Sequence, residues 1–461
     1  MRDEYLGLRE KLFFKTNLPD FKSECAKAAE NYDREYKTAE PARKKSIEWI
    51  IGNLAVDMFS YLPDWKLKKT GPDATGVLAG SYALLTGILK KWNVAERLAS
   101  VEKEVWELVN SNLLRLSRTN DMGLTNTPVG TDAAWELIHS TRNGTSVATT
   151  NPVMVDTVRK NYPEVWNPVR DEIAKKYASA TDQERVTRFS LEVVLYNCKV
   201  VKPIFDYTNG RLGYVHMQVN PHHSDDGVAM AEEAEYVYGE LKKLMGSEPN
   251  VIFKIPAVAA AQITVPRLLE QGICVNMTAC ASVSQHKVFG ELMKKGKAKL
   301  QLLTMMAGRF DDPIVEELKS AGLSEDEAIR IGRQGSTFVL NRSYMMLLDE
   351  LKANNVWLLD ASMRATGNIE ATFNSYPQPI FLSIFPPQAS EYESVPRAIS
   401  PNIGKSPEPG LLEHLMKSET FRKGYEWDAM KPEDFEHYKV ITATLKQFRE
   451  RYDETVAYLK P

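Results

Sequence analysis

Two textures of hydrophobic spacing divide the chain. Up to about residue 115, apolar positions recur three and four apart, as in SIEWIIGNLAVDMFSYL and VEKEVWELVNSNLLRL, and predict helix after helix. Pro63 and the Lys-Thr-Gly-Pro run at 69–72 separate these segments. Beyond residue 115, short apolar runs alternate with amphipathic stretches, the pattern of repeated β-α units around a parallel sheet. Candidate strands are a loosely defined one within 116–130, then 146–152, 212–219, 250–256, 272–279, 300–308, 355–363 and 379–386. Eight strands with intervening helices predict a (β/α)8 TIM barrel over 116–395. An open doubly wound sheet is the alternative, but its Gly-rich turn after the first strand is missing. A helical extension, 1–115, precedes the barrel. After it, the Pro/Gly/Ser-rich stretch VPRAISPNIGKSPEPG opens a helical segment, 396–461, expected to pack outside the barrel or cover one mouth.

One strand carries a charge where apolar groups are expected. Side chains alternate along Val251-Ile252-Phe253-Lys254-Ile255-Pro256, so Lys254 shares a face with Ile252. A lysine at a strand end can snorkel to solvent. Held in apolar surroundings, its ammonium is instead destabilised, and the freed lone pair can attack a carbonyl to form a Schiff base. The next strand places Asn276 and Thr278 on one face. Two such side chains beside a buried amine are what a carbinolamine and its water require.

Composition narrows the class. The chain has 461 residues, 43% apolar and 26% charged, with net charge −3. That length suits two or three structural units. There is no basic excess to suggest nucleic acid and no charge block to suggest a disordered tail. MRDEYLGLREKLFFK lacks an apolar core of signal-peptide length, and the longest apolar run, 77–89, is too short for a bilayer. A cytoplasmic protein with no membrane partner is expected. Cys25, Cys198, Cys274 and Cys280 lack metal-ligand spacing and fit a reducing compartment as small core residues.

In a barrel, side chains at the carboxyl ends of strands converge on one site. The polar residues there are Asn151, Gln218, Lys254, Asn276, Thr278, Thr304 with Arg309, and Arg364. Each alone could be a cap or loop anchor, and Arg309 could pair with Asp311 or Asp312. Buried together without a ligand, they would leave polar groups unpaired. Thr304 and the two arginines suit an anion, because guanidinium forks bind phosphate in bidentate fashion.

In order, Thr-Thr-Asn-Pro at 149–152, Phe-Lys-Ile-Pro at 253–256, Val-Asn-Met-Thr at 275–278, Gly-Arg-Phe-Asp at 308–311 and Ala-Ser-Met-Arg at 361–364 resemble the transaldolases, over about 130–390. The resemblance implies a class I aldolase barrel whose lysine forms an imine with a phosphorylated ketose. It cleaves the bond between the third and fourth carbons and passes a dihydroxyacetone unit to an aldehyde, with no cofactor. On this likeness Lys254 is the Schiff-base lysine, and Asn151 and Asn276 bind donor hydroxyls. Thr278 holds the catalytic water, and Thr304, Arg309 and Arg364 clamp the phosphate.

The chain departs from that pattern in three places. Gln218 stands where the family has a glutamate, and an amide orients water but exchanges no proton at neutral pH. Glutamine there resembles the fructose-6-phosphate aldolases, which release dihydroxyacetone, but those place a tyrosine where this chain has Met306. The aspartate expected after strand 1 corresponds to Asp132, which also reads as a helix N-cap; Asp121 and Asp360 are rival carboxylates. Three functions remain: transferase, lyase, or a non-catalytic sugar-phosphate binder. His222-His223-Ser224-Asp225-Asp226 follows Pro221 and reads as a solvated helix start rather than a metal site. His216 shares a face with Gln218 and is either a core histidine or part of the site. The first 115 residues are candidates for oligomerisation, lid formation or partner binding.

Overall fold

The computed structural model describes residues 1–65, 75–135, 137–405 and 408–460; the run at 69–72 and Pro461 lie outside them. Eight parallel strands follow one another around a single sheet: β1 Gly130–Thr131, β2 Val147–Ala148, β3 Tyr214–Gln218, β4 Val251–Pro256, β5 Val275–Thr278, β6 Gln301–Met306, β7 Trp357–Ala361 and β8 Ile380–Ser383. The sheet closes where Ile384 N donates to Gly130 O and Asp132 N donates to Ile384 O. The fold is therefore the expected (β/α)8 barrel with helical segments before and after it.

Strand parity builds the barrel's two surfaces. Tyr214, Ile252, Cys274, Leu302, Leu359 and Phe381 pack together as an apolar floor inside it. Residues of the opposite parity, such as Met217, Phe253, Met277 and Leu303, face the surrounding helices. One layer above the floor the inward positions become polar.

The extension comprises α1 Arg2–Glu10, α2 Leu18–Thr38, α3 Pro41–Asp57, α4 Thr75–Lys91, α5 Ala95–Val109 and α6 Asn112–Asp121. Part of the stretch expected as strand 1 is thus helix α6, and the strand is two residues at its far end. Ser111 explains this: its Oγ accepts from Leu114 N, while the Glu393 carboxylate, from far along the chain, accepts from Asn112 N and Leu113 N. The extension is joined to the barrel through buried charge. Asp57 on α3 accepts from the Tyr5 hydroxyl (2.5 Å) and from Nε of Arg142 (2.8 Å), on barrel helix α7, Leu137–Arg142. Arg9 lies 3.4 Å from the same carboxylate and donates to Thr141.

Among the barrel helices, α8 Pro152–Asn161 follows β2, α9 Asp182–Tyr207 packs on β3, and α10 Gly227–Met245 follows β3 and packs on β4. Then come α11 Ala307–Ser320 after β6, α12 Gly335–Met345, and α13 Thr366–Ala371 after β7. The final helix, α14 Lys439–Leu459, packs along α8 and α9 and reaches α11. Among the described residues, no helix is long and apolar enough to cross a membrane.

Candidate active site

Register places the lysine between two amides. Gln218 of β3 is the partner of Lys254, which in turn is the partner of Asn276 of β5, and Pro256 pairs with Thr278. Lys254 is buried, and among the described residues its amine has no hydrogen-bond or ion-pair partner. Burial pulls its pKa down to about 8; the Asp132 carboxylate opposes the fall and the Arg309 charge adds to it. An amine so placed is partly neutral near physiological pH, the state needed for nucleophilic attack.

Asp132 directly follows β1 and is buried, and the next described helix opens only at Leu137, so Asp132 is not the helix cap its sequence context suggested. Burial pushes its carboxyl up to about 6, although Lys254, Arg309 and Arg364 all act to lower it. Two positions past Gly130, which pairs with the inward Val147, Asp132 has the inward parity that faces the lumen. The rival carboxylates are elsewhere. Asp121 borders a cavity of about 540 Å³ at the opposite end of the barrel, lined also by Tyr61, Arg211, Trp357 and Phe381. Asp360 has the outward parity of β7, and its Oδ2 accepts from Thr372 beyond α13, in the layer between sheet and helices.

Four buried polar atoms around the lysine are unpartnered: Asp132 Oδ1, Gln218 Oε1, Asn276 Nδ2 and His216 Nε2. A native core satisfies its polar groups unless a ligand does so. His216 lies one inward position below Gln218; its Nδ1 is hydrogen-bonded to Thr149 Oγ1 (2.9 Å), which meets Ser383 Oγ at 2.8 Å. Burial and the Lys254 charge hold this imidazole well below its usual pKa, so it is neutral. Asn276 is oriented from behind, since Thr304 Oγ1 donates to its Oδ1 at 2.8 Å. Thr304 therefore braces Asn276 in this structure, whereas the sequence had grouped it with the anion site. Asn151 caps α8, accepting from Met154 N at 3.0 Å, which fixes its side chain at the end of β2.

Burial and the Arg364 charge both lower the Arg309 pKa. Gly308 makes the close approach of the Arg364 segment feasible, because a Cβ there would lie 2.3 Å from Ser362 O and 2.5 Å from Arg364 Cγ. Arg364 Nε lies 3.5 Å from Asp312. Arg309 Nη2 donates to Gln447 Oε1 on α14 at 2.5 Å.

Three contributors escaped sequence reasoning. Gln447 comes from a helix 138 positions away, and nothing local marks it. Gln285 ties the loops after β4 and β5, donating to Ala257 O and Ala279 O. Ser383 was legible in principle, as an inward-parity hydroxyl ending β8. The His222–Asp226 run does other work: Asp226 caps α10, and His222 meets Asp453 at 2.8 Å. Among the described residues, no group of three or more His, Cys, Asp or Glu side chains is placed to hold a metal.

Comparison with known proteins bears on this arrangement. The transaldolase/fructose-6-phosphate aldolase family matches residues 133–375. Relatives include transaldolase 1 of Streptomyces avermitilis, 25% identical over 163 residues, covering 32% of this chain and 41% of the relative. The transaldolase of Helicobacter pylori strain P12 is 25% identical over 149 residues (32% and 45%), and that of Acidothermus cellulolyticus is 27% identical over 139 residues (30% and 35%). The chain thus spans less than half the length of these curated relatives. The family match, by contrast, takes in more than half of the chain and runs from just beyond β1 to just short of β8, so the chain belongs to the transaldolase/fructose-6-phosphate aldolase family.

Proposed function

We propose that the chain is a transaldolase-type enzyme that forms a Schiff base between Lys254 and a phosphorylated ketose such as fructose 6-phosphate. The observation that carries this reading is the buried, unpaired Lys254 amine, set between Gln218 and Asn276 with Asp132 in the same lumen. The neutral amine adds to the ketose carbonyl, and the resulting carbinolamine loses water to give a protonated imine. Asp132 takes the proton from the hydroxyl on the fourth carbon as the bond between the third and fourth carbons breaks. Its electrons flow into the imine, leaving an enamine and a free aldehyde. Attack of the enamine on an acceptor aldehyde, followed by hydrolysis, completes transfer; protonation and hydrolysis instead release dihydroxyacetone.

Gln218 and Thr278 position the water, Asn151 and Asn276 hold donor hydroxyls with Thr304 bracing Asn276, and Arg309 and Arg364 form the phosphate site. Gln218 supports the lyase variant by its likeness to the fructose-6-phosphate aldolases, which release dihydroxyacetone; in either reaction an amide can only orient the water. It is also the feature that would suit a non-catalytic binder. Four buried, unpaired cysteines accord with a reducing, cytoplasmic setting.

Borohydride reduction in the presence of fructose 6-phosphate or dihydroxyacetone, followed by mass mapping, tests the reading. An enzyme gains a covalent adduct at Lys254; a protein that gains none is a binder at most. Consumption of donor without added aldehyde then identifies a lyase, and strict dependence on acceptor a transferase.

A further inference from the structure

The helix that reaches Arg309 lies outside the region matched to the family. α14 contacts α8, the loop after β3 and α11. Lys160 on α8 meets Glu454 at 2.6 Å, and Arg449 donates to Pro221 O and Ser224 Oγ in the loop after β3. Gln447, on α11's side, accepts from Arg309. The next residue, Phe448, is buried with its ring centroid 5.3 Å from the Arg309 guanidinium carbon. Arg309 is thus held by one neutral oxygen and one ring face. Neither cancels its charge, and the guanidinium keeps further N–H donors for another acceptor. By contrast, Arg364 is held by an acid, Asp312.

We infer that Gln447 is a positioning residue for an anion: through Arg309 it makes the C-terminal helix a determinant of preference for phosphorylated over unphosphorylated donors. Two neighbouring guanidinium groups repel, and without a fixed acceptor Arg309 would swing away from Arg364. A carboxylate at 447 would hold Arg309 but neutralise it. An amide does the first without the second. The inference rests on the proposed role of Arg309 and Arg364 as phosphate ligands.

Gln447→Glu and Gln447→Met, made in the full chain, separate the two effects. The glutamate variant should raise KM for fructose 6-phosphate about tenfold, as its carboxylate competes with phosphate for one charge-assisted pair. The methionine variant keeps the packing volume but loses the acceptor, and should raise it by about threefold to fivefold. In both, kcat and the yield of borohydride-trapped adduct with dihydroxyacetone, which has no phosphate, should change by less than about twofold. Equal losses with both donors, at unchanged melting temperature, would overturn the inference, as would no change with either. Calorimetric titration with inorganic phosphate gives a readout free of catalysis. If the unmodified protein traps no donor yet Gln447→Glu weakens phosphate binding, the lysine chemistry falls and the inference stands; if trapping succeeds and phosphate binds both forms equally, the reverse holds.

Discussion

Two clusters of buried charge in this molecule are built on opposite rules. Where the extension meets the barrel, Asp57 is engaged by Tyr5, Arg142 and Arg9, and Arg142 also donates to Glu104 and to both oxygens of Asn53. In the barrel lumen Lys254 has no partner among the described residues, and Asp132, His216, Gln218 and Asn276 each keep a polar atom unsatisfied. A paired buried cluster holds elements in register, and removing one member strands the others. An unpaired one costs stability continuously and persists when a ligand completes it. The first cluster is thus a joint, fixing α1 and α3 to α7, and the second is a site.

Removing one cation from each cluster should produce opposite phenotypes. Lys254→Met should abolish the trapped adduct altogether while leaving the melting temperature equal or higher, because a buried charge without a partner has been replaced by an apolar side chain. Arg142→Met should cost about 3–5 kcal/mol of stability by removing the buried cation that Asp57 Oδ1 and both Asn53 oxygens share, yet trap the same amount of adduct per folded molecule. Denaturant titration and mass mapping on the same samples measure both. A stability loss at 254 matching that at 142 would mean that the lumen is a joint as well.

The same contrast explains what could be read from the sequence. The barrel was legible because inward parity survives in short segments: one lysine in Val-Ile-Phe-Lys-Ile-Pro, and two polar groups in Val-Asn-Met-Thr, betray the lumen. Local chemistry misleads at Asp132, where a carboxylate ahead of Ala-Ala-Trp-Glu has the look of a helix start, although its N–H instead continues the barrel seam by donating to Ile384 O. It misleads again at 116–121, because the groups that stabilise α6 include Glu393, some 280 positions distant. Sequence alone groups Thr304 with the anion ligands, and only the side-chain geometry reveals that its hydroxyl is directed at Asn276. Gln447 and the Asp57–Arg142 joint are contacts of long separation, and periodicity carries no information about them.

A smaller change sharpens the electrostatics of the site. Adduct formation needs the neutral amine, so its rate should rise with pH through a midpoint near 8. The Asp132 carboxylate supports the ammonium, and Asp132→Asn should therefore move that midpoint to lower pH. The same variant should slow carbon–carbon cleavage by about 10²–10⁴-fold, the usual contribution of a general base, while the adduct with dihydroxyacetone still forms. Stopped-flow trapping across pH measures the first effect and aldehyde release the second. A midpoint that stays put would remove Asp132 from the lysine's surroundings.

The smallest effect lies outside both clusters, at Asp360, and it separates burial from catalysis. Burial holds its carboxyl protonated up to about 8, with the nearby Asp311 adding to the rise and the Thr372 hydroxyl opposing it. In the unfolded chain the same group loses its proton near 3.8. Between those values the native state binds more protons than the unfolded one, so stability falls as pH rises and levels off above the folded pKa. Asp360→Asn removes the ionisation and should melt a few degrees above the parent at about pH 9, the gap closing by about pH 5. Adduct formation at Lys254 should be unaffected, because the side chain has outward parity and bonds Thr372 rather than anything in the lumen. Loss of adduct in this variant would bring Asp360 back as a rival to Asp132, and a variant that melts below the parent at neutral pH, with the deficit closing toward acid, would mean the carboxyl is ionised in the fold and paired.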